Sequence, residues 1–208
     1  LKGWGEKNKM KDIQITGIVG SPRLKKNTDA LVQQALDGCR SKGALVETIY
    51  LNKLEIKPCQ AHKLQDGKGC IMRDDMDIVY KIFEAADGLV LGTPVFYNSV
   101  SSQMKLMIDR SYCLAKAVPL GSGKRKYVTT VEKRKKGIVI SVGGSGTNPD
   151  CVLPIFDIWS NEVNLEIIDR LCVSEGQLGE LPMESAKTLE AAFEKGRNLV
   201  KCLLENSY

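Results

Sequence analysis

Hydrogen-bond donors crowd one short stretch, Gly20–Thr28, which reads G-S-P-R-L-K-K-N-T. Ser21 and Thr28 bring hydroxyls, Asn27 an amide, and Arg23, Lys25 and Lys26 positive charge. Such a set suits a dianion, above all a phosphate ester. Upstream, Ile13, Ile15, Ile18 and Val19 make the β-branched run of a strand buried on both faces. Downstream, Asn27-Thr28-Asp29 reads as the cap of a helix running to about Arg40. Strand, glycine turn and helix in that order aim backbone N–H groups and a positive dipole end at an anion. The stretch lacks the G-K-[ST] of a Walker A loop, and with only Gly17 and Gly20 it is not G-x-G-x-x-G. On these residues alone two readings stay open: a phosphate site, or an ordinary strand-to-helix turn with a solvated basic rim.

The rest of the chain places two more such loops. A helix after residue 28 carries Leu31, Ala35 and Cys39 on one stripe, and Val46 and Ile49 mark a second strand. Asp74, Asp75 and Asp77 crowd the start of a helix with Ile78, Ile82 and Phe83. Leu89–Gly92 is a third buried strand, ending in the loop Thr93–Asn98, with a helix through Met104, Met107 and Ile108 beyond it. A fourth strand, Ile138–Val142, ends in Gly143-Gly144-Ser145-Gly146. Then come a helix with Leu153 and Phe156, a fifth strand over Leu165–Cys172 and a last helix over about 184–204. Strands alternating with helices predict an α/β fold with a parallel sheet and right-handed crossovers. Ligands in such sheets sit outside the carboxyl ends of the strands, so residues 20–28, 93–98 and 143–148 are expected to be neighbours.

Composition narrows the class. At 208 residues, 43% hydrophobic and 26% charged, the chain fits a single domain over 13–208 behind a flexible arm at 1–12. No apolar run reaches membrane-spanning length, no signal peptide is visible, and seven cysteines then argue for reduced thiols in a cytoplasmic setting. The net charge of +5 comes largely from a basic excursion at 119–136, expected to be solvated and to form a hairpin through Tyr127–Thr130. No aromatic-interleaved or helix-turn-helix pattern accompanies it, which argues against nucleic acid.

Taken together, G-S-P-R-x(3)-N-T at 20–28, T-P-V-F-Y-N-S-V-S-S-Q-M-K-x(3)-D-R at 93–110, I-K-P-C at 56–59, C-x(3)-D-D-M at 70–76 and S-V-G-G at 141–144 resemble the NADPH-dependent FMN reductase family, in particular its iron–sulfur flavoprotein branch. The resemblance implies a flavodoxin-like three-layer sandwich, a five-stranded parallel sheet of order 2-1-3-4-5, and FMN as cofactor. Ser21, Arg23, Asn27 and Thr28 would hold the phosphate. Pro94, Val95, Phe96, Tyr97 and Asn98 would line the isoalloxazine edge, and Gly143, Gly144 and Ser145 would complete the pocket. As plain structure, Thr93-Pro94 would cap a strand, Gly143-Gly144 would be a turn, and Asp109-Arg110 would brace a helix or an oligomer contact.

The implied activity is an FMN-dependent oxidoreductase that draws on NAD(P)H or a ferredoxin-type protein and reduces a quinone, a flavin or oxygen. It would work as a homodimer or homotetramer, and no side-chain acid or base is required. An electron carrier without turnover of its own is the alternative, and a member that lost the cofactor a third. The branch holds its iron–sulfur cluster with four cysteines. In the segment 53–73, those positions are Cys59, His62, Gln65 and Cys70. With two thiolates missing, an intact cluster is not expected, because glutamine is a poor ligand. Plain thiols, a Cys59–Cys70 disulfide, or a metal on Cys59, His62 and Cys70 stay open. Cys39, Cys113, Cys151, Cys172 and Cys202 fall in helix or strand patterns and are expected in the core.

Overall fold

The computed structural model describes residues 13–62, 69–175 and 183–205. The expected N-terminal arm at 1–12 and Gln65 lie outside the described residues. The elements are β1 (Gln14–Val19), α1 (Asn27–Arg40), β2 (Leu45–Tyr50), α2 (Met76–Ala85), β3 (Gly88–Phe96), β4 (Ser99–Val100), α3 (Ser102–Arg110), β5 (Ala115–Gly121), β6 (Lys124–Thr129), β7 (Lys135–Gly143), α4 (Leu153–Glu162), β8 (Leu165–Ser174) and α5 (Ala186–Glu205).

Five strands form a parallel sheet of order β2-β1-β3-β7-β8. This is the expected 2-1-3-4-5 order once the short β4 and the β5–β6 hairpin are left out. The sheet separates two apolar layers because its central strands alternate faces. Ile15, Val19, Val90 and Ile140 pack toward α1 and α5, where Leu31, Leu36, Leu199 and Val200 lie. Ile18, Leu89, Leu91 and Val139 pack toward α2, α3 and α4, where Phe83, Met104 and Phe156 lie. The result is the three-layer sandwich.

Helix α1 is pressed close on both sides. A Cβ on Gly92 would stand 2.3 Å from Val32, and one on Gly17 2.7 Å from Leu36. Across the other side, a Cβ on Gly196 would stand 1.8 Å from the Ala35 carbonyl oxygen. The two helices touch through backbone there, and the Cys39 thiol donates to the Gly196 carbonyl at 3.3 Å.

Several expectations need correction. The hairpin begins at Ala115, earlier than 119, because the strand runs through Pro119 on an edge where no N–H is needed. Residues 93–96 continue strand β3 instead of forming a loop, and the chain turns at Tyr97-Asn98 into β4. Of the five cysteines expected in the core, Cys39 is buried, Cys113 and Cys151 are half-buried but pack against the core on the α2–α4 side, and Cys172 and Cys202 are half-buried.

The basic run 133–136 is not all solvated. Lys135 is fully buried, and its ammonium donates to the carbonyls of Lys133 at 2.9 Å and Val163 at 2.8 Å. Burial, with Lys133 adding repulsion, pushes its pKa down to about 8. From pH 8 toward 10 the unfolded chain therefore holds more protons on this side chain than the folded one, and its contribution to stability rises with pH. Relative to Lys135→Met, the wild type is expected to gain on the order of 2 kcal/mol between pH 7 and pH 10. Urea unfolding of both proteins at the two pH values checks this, and a pH-independent difference would contradict it.

Candidate functional site

The loop after β1 is folded back on itself before the helix begins. Gly20 N–H donates to the Gly92 carbonyl at 2.8 Å, which ties the loop to β3. The Ser21 hydroxyl accepts from Arg23 N–H at 3.2 Å. Lys25 takes a positive φ of 55°, and its N–H donates to the Asp29 carboxylate at 2.7 Å. Helix α1 then starts with Lys26 at the capping position and no side-chain cap. Its first intrahelical bond runs from Ala30 N–H to the Lys26 carbonyl, so the N–H groups of Asn27, Thr28 and Asp29 have no intrahelical acceptor. All three residues are buried, and Asn27 and Thr28 line a cavity.

That cavity, of about 240 Å³, gathers the three expected loops. Ser21, Arg23, Asn27 and Thr28 come from the first, Pro94, Val95 and Phe96 from the second, and Gly143 and Gly144 from the third. Tyr97, Asn98 and Ser145 are not among its lining residues. Tyr97 and Asn98 form the turn between β3 and β4, both with positive φ (50° and 56°), a backbone that suits a two-residue hairpin and strains a tyrosine. Tyr97 is fully exposed and Phe96 is 41% exposed, an aromatic edge directed to solvent beside the cavity.

Thr147, inside the expected loop 143–148 but not singled out, and Glu175, outside every expected loop, also line the cavity. Thr147 N–H donates to the Gly144 carbonyl and Glu175 N–H to the Gly143 carbonyl, both at 3.0 Å. The Glu175 carboxylate accepts from the Asn27 amide at 3.1 Å, and the Asn27 oxygen accepts from Met183 N–H at 3.3 Å. Asn27 therefore braces three chain segments with its side chain and offers the cavity its backbone. Nothing local marks Glu175, which lies at the far end of β8.

Two buried hydroxyls weld the loops together. Ser101, capping α3, accepts from Met104 N–H and donates to the Gly20 carbonyl at 2.6 Å. Ser101 N–H in turn donates to the Thr93 hydroxyl at 3.1 Å, and that hydroxyl donates to the Pro94 carbonyl at 2.9 Å.

Away from the cavity, Arg110 ends α3 with its side chain fully buried. It pairs with Asp74 at 2.5 Å and donates to the Lys57 carbonyl at 2.9 Å. Its second terminal nitrogen lies 3.6 Å from the Cys70 sulfur. Burial opposes ionisation of Asp74, yet its bonds from Arg110 and from the N–H groups of Lys57 and Met76 prevail and hold its carboxyl below the usual range. Cys59 and His62 are exposed and Cys70 is half-buried. Among the described residues no three His, Cys, Asp or Glu side chains are placed to hold a metal ion. The donor set Cys59, His62, Gln65 and Cys70 does not fit a four-thiolate cluster.

A parallel sheet of this order with a glycine loop, an open helix N-terminus and three convergent loops defines a flavodoxin-like α/β protein. Residues 13–151 match the NADPH-dependent FMN reductase family, and the chain belongs to that family. An iron–sulfur flavoprotein from Methanosarcina thermophila is 34% identical over 134 residues, covering 64% of each chain. The match thus spans less than two thirds of that relative's length. Among solved structures, an NAD(P)H:quinone oxidoreductase from Methanothermobacter marburgensis superposes with a TM-score of 0.68 at 14% identity, covering 95% of this chain and 99% of the other. A flavodoxin from the domain Archaea gives 0.57 at 12% identity, covering 92% and 99%. These two share the fold.

Ser101→Ala would leave the Gly20 carbonyl and Met104 N–H without that buried partner. The expected loss is about 2 kcal/mol of unfolding free energy in urea titration, against under 0.5 kcal/mol for the exposed Ser102→Ala.

Proposed function

We propose that the protein is an FMN-dependent oxidoreductase, and that the cavity holds the phosphate end of the cofactor. The observation that carries this reading is the uncapped, buried start of α1, opening onto the same space as Ser21, Arg23 and Thr28. Three N–H groups, two hydroxyls and a guanidinium match the oxygens and double charge of a phosphomonoester. Lys26 adds long-range attraction from the rim. Gly143 and Gly144 present backbone at the opposite wall, where absent side chains let a polyol chain pass.

The cavity is smaller than the roughly 300–1,000 Å³ of sites that enclose a whole drug-sized ligand. A flavin ring attached to a phosphate held here would lie outside it, along Pro94–Asn98. The strained Tyr97-Asn98 turn would then offer backbone polar groups to the ring edge, as the family resemblance implies. When bound, FMN supplies the exchange of electrons between donor and acceptor; the chain holds it, orients it and leaves one side open. NAD(P)H or a ferredoxin-type protein is the donor in this reading, and a quinone, a flavin or oxygen the acceptor. A homodimer or homotetramer would cover the exposed Phe96-Tyr97 edge.

The full exposure of Tyr97 also supports the second reading, an electron carrier that meets protein partners at this edge. Steady-state NAD(P)H oxidation separates the two: quinone-dependent turnover supports the reductase, and reduction only by a protein donor supports the carrier. For the site itself, Arg23→Ala with Thr28→Val removes a charged donor and a hydroxyl while keeping the β-branched shape against Gly92. FMN affinity, read by flavin fluorescence titration, is expected to fall about 100-fold or more. Unchanged affinity would remove the phosphate assignment.

A further inference from the structure

One charge in the cavity at the start of α1 has the wrong sign for a phosphate. Ser21, Arg23, Lys26, Asn27 and Thr28 suit an anion, yet Glu175 is an acid, the one acid among the described lining residues. A carboxylate near a phosphate costs Coulomb energy, which some other contact of the same ligand has to offset.

The backbone fixes where Glu175 stands. It follows Ser174, the last residue of β8, and its N–H donates to the Gly143 carbonyl at 3.0 Å, on the wall where Gly143 and Gly144 leave room for a chain. Its side chain is held as well. One carboxylate oxygen accepts from the Asn27 amide at 3.1 Å, and Asn27 is itself buried and bonded to Met183 N–H at 3.3 Å. Among the described residues the other carboxylate oxygen accepts no hydrogen bond. An ionised carboxylate can take about four hydrogen bonds and donates none. Glu175 therefore brings an unused anionic acceptor to a cavity otherwise rich in donors. A ligand that satisfies both carries an anionic group and, a few bonds away, hydroxyls that donate. A polyol phosphate has that pattern, and an alkyl phosphate does not.

We propose that Glu175 is a specificity-determining residue that reads the hydroxyls of the chain joining phosphate to flavin ring. The assignment rests on the reading of this cavity as the phosphate end of an FMN site. A ribityl hydroxyl passing Gly143 and Gly144 donates to the carboxylate, a charge-assisted bond that outweighs the repulsion. A flavin phosphate whose chain lacks hydroxyls keeps the repulsion and leaves the carboxylate covered without a donor, so the site rejects it. Bracing Asn27 is the simpler role for Glu175, and loss of that brace would weaken every ligand of the site alike. Choice between two chains does not follow from bracing.

The test is a binding cycle on the whole protein freed of flavin, read by flavin fluorescence titration. The two ligands are FMN and its 10-(5-phosphopentyl) analogue, which keeps the ring, the chain length and the phosphate but lacks the three hydroxyls. Wild type is expected to bind FMN about tenfold or more tightly than the analogue. In Glu175→Ala the ratio should fall toward one, with FMN affinity lost and analogue affinity kept or raised. Arg23→Ala with Thr28→Val should weaken both flavins and leave the ratio intact. Where Glu175→Ala does not fold by circular dichroism, Glu175→Gln is read by the same ratio. A ratio near one in wild type, or a ratio kept in the Glu175 variant, would overturn the role of Glu175 while the phosphate assignment stands. Unchanged affinity of the Arg23 and Thr28 variant for both flavins would remove the phosphate assignment, and this inference with it.

Discussion

The position of α1 governs the site, and that position is set by how little lies beneath and beside the helix. Gly17 and Gly92 floor it, and the α5 backbone at Gly196 abuts it within the same layer, at separations that leave no space for a Cβ. Dispersion and apolar burial on both sides hold the helix, and interiors at native density resist displacement. The helix therefore cannot move away from the sheet without opening two interfaces at once. Its free N–H groups consequently stand at a fixed height over the carboxyl ends of β1 and β3. Any anion that uses them meets donors already oriented, which lowers the ordering cost of binding.

Geometry at the other loops follows from this anchor through hydrogen bonds instead of apolar packing. Ser101 couples the Gly20 carbonyl to the start of α3, and Thr93 couples Ser101 to the Pro94 carbonyl. Both hydroxyls are fully buried, where an unmade bond costs more than a made one gains. Asn27 and Glu175 extend the same logic to β8. The cavity walls thus come from loops far apart in sequence yet share one set of polar ties. Rigid walls beside an exposed Phe96-Tyr97 edge are the arrangement expected where a ring must be held on one side and approached on the other.

Much of this was legible before any coordinates. Alternating strand and helix patterns placed the loops at 20–28, 93–98 and 143–148 at the carboxyl ends of one parallel sheet, since topology brings those ends together whatever the side chains. The family resemblance supplied the strand order and the layers. Of the site residues named in those loops, Tyr97, Asn98 and Ser145 fall outside the cavity lining. What escaped reading depended on contacts with no local signature. Lys135 stands in a run of four basic residues, yet its ammonium turns to the carbonyls of Lys133 and Val163 while the next residue, Lys136, pairs with Glu166. Thr93–Phe96 looked like a loop because Pro94 interrupts ladder bonding, yet its pairing with β7 continues to Val142. Glu175 and Arg110 act across the fold, on Asn27 and on Asp74, and spacing along the chain carries no trace of such partners.

The Asp74–Arg110 pair explains how a segment with two of four cluster positions altered keeps its place. Desolvating both charges is costly, and an isolated buried pair is often no better than apolar residues of the same volume. Here the carboxylate also accepts from two backbone N–H groups, and the guanidinium also donates to the Lys57 carbonyl, so the ions finish the hydrogen bonding of a turn that has no regular structure. That supplementary bonding is what shifts the balance, and it is why Asp74 stays ionised below the usual carboxylate range despite burial. A segment tied at residues 57, 70 and 74 to the end of α3 needs no metal to hold its ends together. Cys70 is held at the same joint, its sulfur 3.6 Å from the Arg110 guanidinium.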